Sequence, residues 1–198
     1  MRVMLVDFGT GNLHSLARAL QAGGADVAIA DDADTLAGAD AIVLPGVGAF
    51  GAAAEWLASA GEALRVAVRR GRPCLGICLG MQLLFESSEE GPGAGLGAVA
   101  GRVRRLRASR LPHMGWNEVA TTADPLFDGL DELVVYYANS YVAEPALPSD
   151  VIAWTKYGDE TFPAAVRRGS VWGVQFHPEK SGAAGLAVIR NFLAQVPA

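Results

Sequence analysis

The sequence predicts a three-layer α/β fold, with a mostly parallel central sheet to which antiparallel strands are added in the second half. Three observations carry this. Short apolar runs without alternation recur through the first half, at Val3–Val6, Val27–Ala30, Ala41–Leu44 and Cys74–Ile77, as expected of parallel strands buried on both faces. Segments of helical period lie between them. In the second half the texture changes to longer strand-like stretches joined by tight turns, which read as hairpins.

In chain order, Val3–Val6 ends at Asp7, and Gly9-Thr10-Gly11-Asn12 turns into a helix on which Leu13, Leu16, Ala17 and Leu20 share one face. The strand Ala41–Leu44 ends in Pro45-Gly46-Val47-Gly48. Alanine-rich sequence from Ala49 to Arg70 reads as helix broken near Gly61. Cys74–Ile77 is a fourth strand, and Met81–Glu86 leaves it as a helix-like segment. Residues 99–110, Leu133–Val142, Val151–Tyr157, Ala164–Arg168 and Val171–Phe176 read as strands, with Arg168-Gly169-Ser170 as one of the turns. Ala183–Gln195 closes the chain as a helix. No repeat, linker or composition break divides residues 1–198, so one domain is expected.

Composition narrows the function. Of 198 residues, 51% are hydrophobic and 19% charged, a globular balance. A net charge of −5 argues against a nucleic-acid binder. No apolar run reaches spanning length and no signal peptide is legible, so a cytoplasmic protein away from membranes is expected. Two cysteines four residues apart form no disulfide framework. Cys74, inside an apolar strand, reads as a core residue.

Cys78 is different. Gly76-Ile77-Cys78-Leu79-Gly80 joins a strand to a helix-like segment, the pattern of a nucleophile elbow with sulfur in place of a serine oxygen. Glycines at 76 and 80 are expected to let the chain turn sharply and push the side chain between them out of the bend. A helix start behind the thiol favours its thiolate.

A base is available. Val171–Phe176 leads directly into His177-Pro178-Glu179, and strand ends are where doubly wound sheets present functional groups. Glu179 can accept the second N–H of His177 and fix its tautomer. Alone, such a tripeptide is a common surface turn; its pairing with the elbow makes it a catalytic candidate. Oxyanion donors are offered by Leu79, directly after the nucleophile, and by the Pro45–Gly48 loop. His14 and His113 have no comparable carboxylate, and no metal-ligand spacing appears. Gly9-Thr10-Gly11 with Asp31 and Asp32 imitates a dinucleotide fingerprint, but His14 occupies the third glycine position. The arginines of Arg102–Arg107 alternate as on a solvated strand face.

The elbow and the His-Pro-Glu end together resemble the class I, triad-type glutamine amidotransferases. Within these, five stretches resemble the glutaminase subunits of imidazole glycerol phosphate synthases: Asp7–Leu13, Pro45–Phe50, Gly76–Glu86, Leu111–Asn117 and Phe176–Ser181. Leu-Pro-His-Met-Gly-Trp-Asn discriminates most strongly. The resemblance implies the flavodoxin-like amidotransferase fold, with Cys78 as nucleophile, His177 as acid–base and Glu179 as its orienter. It implies an oxyanion hole at Val47 and Leu79, and substrate contacts at Gly46, Gly48, Gln82, Glu90, Ser140 and Tyr141. Asn12 and Lys180 would face a (β/α)-barrel cyclase subunit in a heterodimer, and no cofactor would be needed. One departure is Asn139, where the family usually carries histidine; an amide cannot act as a charged donor there. The rival readings are a silent binding module, a cysteine peptidase or other acyl hydrolase, and a glutaminase serving a different synthase.

Overall fold

The computed structural model describes residues 1–9, 13–30 and 38–197. Thr10, Gly11, Asn12, Asp31 and Asp32 therefore lie outside the described residues. The elements run β1 (Arg2–Val6), α1 (His14–Ala22), β2 (Asp26–Ala30), β3 (Ala41–Leu44), α2 (Phe50–Ala60), α3 (Glu62–Arg69), β4 (Cys74–Ile77), α4 (Leu79–Gln82) and β5 (Ser87–Ser88). They continue with β6 (Gly101–Arg105), β7 (His113–Thr121), β8 (Leu133–Asn139), β9 (Tyr141–Pro145), β10 (Val151–Tyr157), β11 (Glu160–Arg168), β12 (Val171–Val174) and α5 (Gly182–Ala194).

Among the described residues, nine strands form one sheet in the order β2-β1-β3-β4-β12-β11-β10-β7-β8. From β2 to β12 the neighbours are parallel, and from β12 to β8 they are antiparallel. The mixed sheet expected from the sequence is thus present. Residues of the parallel half alternate between two cores. Val3, Leu5, Val43, Leu75 and Ile77 pack with α1 and α5 on one face. Met4, Val6, Ile42, Leu44 and Cys74 pack with α2 and α3 on the other. Runs such as Ala41–Leu44 are apolar at every position because both faces are covered. Among the described residues no helix is long and apolar enough to cross a membrane.

Several expectations need correction. The helix after the elbow is a single turn, Leu79–Gln82, and the chain from Leu83 to Glu86 is not helical. The stretch 99–110 contributes only Gly101–Arg105, in a separate three-stranded sheet β5-β6-β9. Arg102, Arg105 and Arg107 are exposed, as on the solvated face expected, while Arg104 is partly buried; Arg102 and Arg104 both bind Glu144, and Arg104 also pairs with Glu160. Leu133–Val142 is two strands that part at Ser140. β7 carries no expectation from the sequence, because its alternation is inverted. His113 and Val119 point inward, while Met114 and Trp116 are 65% and 59% exposed.

The break at Gly61 is present between α2 and α3. Arg65 donates from Nη1 to the Leu57 carbonyl at 2.8 Å, next to the break.

Glycines mark where backbones touch. A Cβ on Gly80 would lie 2.2 Å from the Leu44 carbonyl oxygen, and one on Gly76 would lie 2.5 Å from the Gly80 oxygen. β3, β4 and α4 therefore meet main chain to main chain. Gly80→Ala should lower stability by about 1–3 kcal/mol. Gly51→Ala, on α2 with only ordinary contact to Pro92 at 3.5 Å, should raise it by about 0.5–1 kcal/mol through helix propensity. Urea unfolding of the two variants measures both.

Candidate active site

Strand register assembles the site. On β4, Gly76 is level with Leu44 of β3, and Ile77 is level with Val174 of β12. Continuing each strand past its end brings Gly46, Cys78 and Gln175 into one row. The Cys78 N–H donates to the Val174 carbonyl at 2.7 Å, extending the ladder to Cys78. A Cβ on Gly46 would lie 3.0 Å from Cys78 Cβ and 3.1 Å from His177 Cε1, so the three residues are in close contact.

Cys78 has φ 48° and ψ −104°, and it is the one non-glycine with positive φ among the described residues. The strain of the bend therefore sits on Cys78 itself. Gly76 and Gly80 do not have positive φ; they serve by close approach, not by turning. The sequence expectation for these glycines is corrected accordingly.

His177 follows β12 and is 2% exposed. Its Nδ1 lies 2.9 Å from Glu179 Oε1. The turn is fastened to β8 twice. The His177 N–H donates to the Tyr136 carbonyl at 2.9 Å. Ser181 Oγ donates to the His177 carbonyl and accepts from the Tyr136 N–H. Burial alone would lower the affinity of His177 for its proton; hydrogen bonds and charge from Cys78 and Glu179 overcome it, and the imidazole is raised to about 9. The proton therefore rests on His177 at neutral pH. Cys74, fully buried in β4, is pushed up to about 12 by burial alone and is inert.

Cys78 and His177 open onto a cavity of about 320 Å³. Of the residues expected from the sequence, Gly46, Val47, Gly48, Leu79, Gln82, Glu90, Ser140, Tyr141 and Lys180 also line it. Glu179 stands behind His177, and Asn12 lies outside the described residues. Gly48 has φ 125°, a conformation that suits glycine. Leu79 opens α4, where backbone N–H groups lack intrahelical acceptors. Glu90 Oε2 accepts from the Phe50 N–H at 3.0 Å, so a cavity carboxylate also caps α2. Lys180 stands 6.0 Å over the Tyr136 ring. Asn139 lines the cavity, donating from Nδ2 to the Tyr141 carbonyl at 3.1 Å. Among the described residues no group of three or more His, Cys, Asp or Glu is placed to hold a metal ion.

Sequence reasoning missed Gln175. It is completely buried and donates from Nε2 to Cys78 Sγ at 3.5 Å. The signal was available: one polar residue in an otherwise apolar strand end, two positions before the candidate base.

Arranged in this way, the site offers a cysteine sulfur, a protonated imidazole beside it and a cavity open on one side that can take an acyl group. The folded chain retains the His177 proton up to about pH 9, whereas an unfolded histidine releases it near its ordinary value of about 6.5. Stabilisation by this proton is therefore complete below about pH 6.5 and is lost as pH rises through about 9. The difference in unfolding free energy between the wild type and His177→Gln should be largest below pH 6.5 and shrink towards pH 9. Urea titrations across that range check it, and a flat difference would contradict the ion pair.

Comparison with known proteins gives the chain its relatives. The family described as glutamine amidotransferase class-I matches residues 4–196. The imidazole glycerol phosphate synthase subunit HisH of Halobacterium salinarum is 50% identical, covering 96% of this chain and 92% of its own. The protein of the same name from Synechococcus sp. (strain JA-3-3Ab) is 46% identical, covering 98% and 93%. A chain in the PurLQS structure from Thermotoga maritima superposes with a TM-score of 0.80 at 19% identity, covering 99% of both chains, a likeness of fold. The chain belongs to the class-I glutamine amidotransferase family, among the HisH subunits of imidazole glycerol phosphate synthase.

Proposed function

We propose that this chain hydrolyses glutamine to glutamate and ammonia through a thioester on Cys78, and passes the ammonia to a cyclase subunit. That subunit would make imidazole glycerol phosphate and an aminoimidazole carboxamide ribonucleotide in histidine biosynthesis. The observation that carries the reading is the row of Cys78 and Gly46 with His177 beside them, in a chain of this family. The Cys78 thiolate attacks the side-chain amide carbon of glutamine, and backbone N–H groups at Val47 and Leu79 hold the oxyanion. The C–N bond then breaks. His177 gives its proton to the departing nitrogen, releasing ammonia and leaving a thioester and a neutral imidazole. Water attacks the thioester, His177 takes a proton from it, and glutamate leaves with the thiolate and imidazolium restored. Glu179 keeps the imidazole oriented throughout.

Gly46, Gly48, Gln82, Glu90, Ser140 and Tyr141 would hold the substrate, with the carboxylate of Glu90 suited to its ammonium group. Asn12 and Lys180 would face a (β/α)-barrel partner in a heterodimer. Ammonia is lost to solvent unless the second site is docked, which is the physical reason for a partner at this face.

Cys78→Ala should abolish glutamine-dependent synthesis by the complex while leaving synthesis from added ammonia intact. The assay follows product formation with each nitrogen source in the presence of the cyclase and its nucleotide ligand. Turnover of glutamine by the variant would refute the nucleophile assignment.

A further inference from the structure

The proposed mechanism gives no role to Gln175, a buried polar side chain in contact with Cys78. Gln175 Nε2 donates to Cys78 Sγ at 3.5 Å, and Gln175 Oε1 accepts from Gln82 Nε2 at 3.2 Å. Gln82 Nε2 donates in addition to the Tyr141 carbonyl at 3.1 Å. These are the bonds of both amide groups among the described residues. Gln175 is completely buried and Gln82 is 4% exposed.

The polarity of this chain of amides is set at the Tyr141 carbonyl, which can only accept, so Gln82 must turn Nε2 to it. Gln82 Nε2 also reaches Gln175, which must answer with Oε1, and Gln175 thereby turns its own Nε2 to Cys78 Sγ. Gln82 Oε1 is left without a protein partner among the described residues, on a side chain that lines the cavity. It can only accept, from a donor that enters the cavity.

We propose that Gln175 is a positioning residue for both Cys78 and Gln82: it steadies the sulfur through Nε2 and fixes Gln82 as an acceptor towards the substrate through Oε1. The proposal deepens the glutaminase reading and rests on it for the identity of the substrate. Glutamine, with N–H donors at both ends, is the kind of ligand that such an acceptor selects.

The test compares Gln175→Met, close in length but without donor or carbonyl, with Gln82→Leu and the double variant. Cys78 alkylation by iodoacetamide is followed against pH, with Cys78→Ala as the blank. Glutamine hydrolysis is followed in the complex with the cyclase. Gln175→Met should slow alkylation at pH 7 about fivefold and move its profile about 0.5–1 pH upward, as expected for a lost hydrogen bond to a charged group. It should also raise KM for glutamine about tenfold. Gln82→Leu should raise KM alike but leave the alkylation profile in place. In the double variant the KM effects should not add. If Gln175→Met fails to fold, Gln175→Asn, too short to span both partners, takes its place. An alkylation profile superimposable on that of the wild type, or additive KM effects, would overturn the proposal. A shifted profile in a complex whose wild type shows no glutaminase activity would instead refute the substrate reading while sustaining the contact with Cys78.

Discussion

The parallel register of β3, β4 and β12 is the constraint on which the rest of this structure depends. Three strands drawn from widely separated parts of the chain end level with one another. The residues just past their ends are therefore neighbours whatever the sequence between them does. A thiol placed after β4, a glycine after β3 and a histidine after β12 need no further device to meet. The remaining contacts refine this: Ser181 ties the His177 turn to β8, and the one-turn helix α4 takes the chain away from the strained Cys78.

Two buried histidines show how the same physics gives opposite outcomes. His113 lies between Tyr137 and Tyr157, with ring centroids 4.6 Å and 4.0 Å away. Burial lowers it to about 4, and it stays neutral as part of the core. His177 is buried as well, but it faces Cys78 on one side and Glu179 on the other. There the charged partners outweigh desolvation. What separates a packing residue from a reactive one is whether the neighbours can accept a proton, not the burial itself.

Much of this could be read in the sequence, and the failures have physical causes. β3, β4 and β10 were legible to the residue: the first two are unbroken apolar runs entered from Asp40 and Pro73, and the third lies between Asp150 and Gly158. β7 was not, because Met114 and Trp116 face outward while His113 and Asn117 face the interior side, so the pattern contradicts the usual sense of inside and outside. α4 looked longer because Leu83, Leu84 and Phe85 are apolar, yet they enter the core as irregular chain. The members of the candidate site could be picked by chemistry: a lone cysteine between glycines, and a histidine followed by a carboxylate. Gln175 stands out in the sequence as one polar residue in an apolar strand end, but its partner comes only from register, since being level with Cys78 is a fact about two strands rather than one.

The contact of main chain with main chain at Gly46, Gly76 and Gly80 separates two properties that are coupled in most enzymes. Side chains in the layers above and below the sheet can change rotamer to absorb a substitution. Backbones pressed together have no such freedom. Repacking the apolar layers should therefore alter how long the protein lasts while leaving the Cys78 sulfur where it is. For anyone wishing to make this chain more durable, the helical layers are open ground and the three glycines are fixed points.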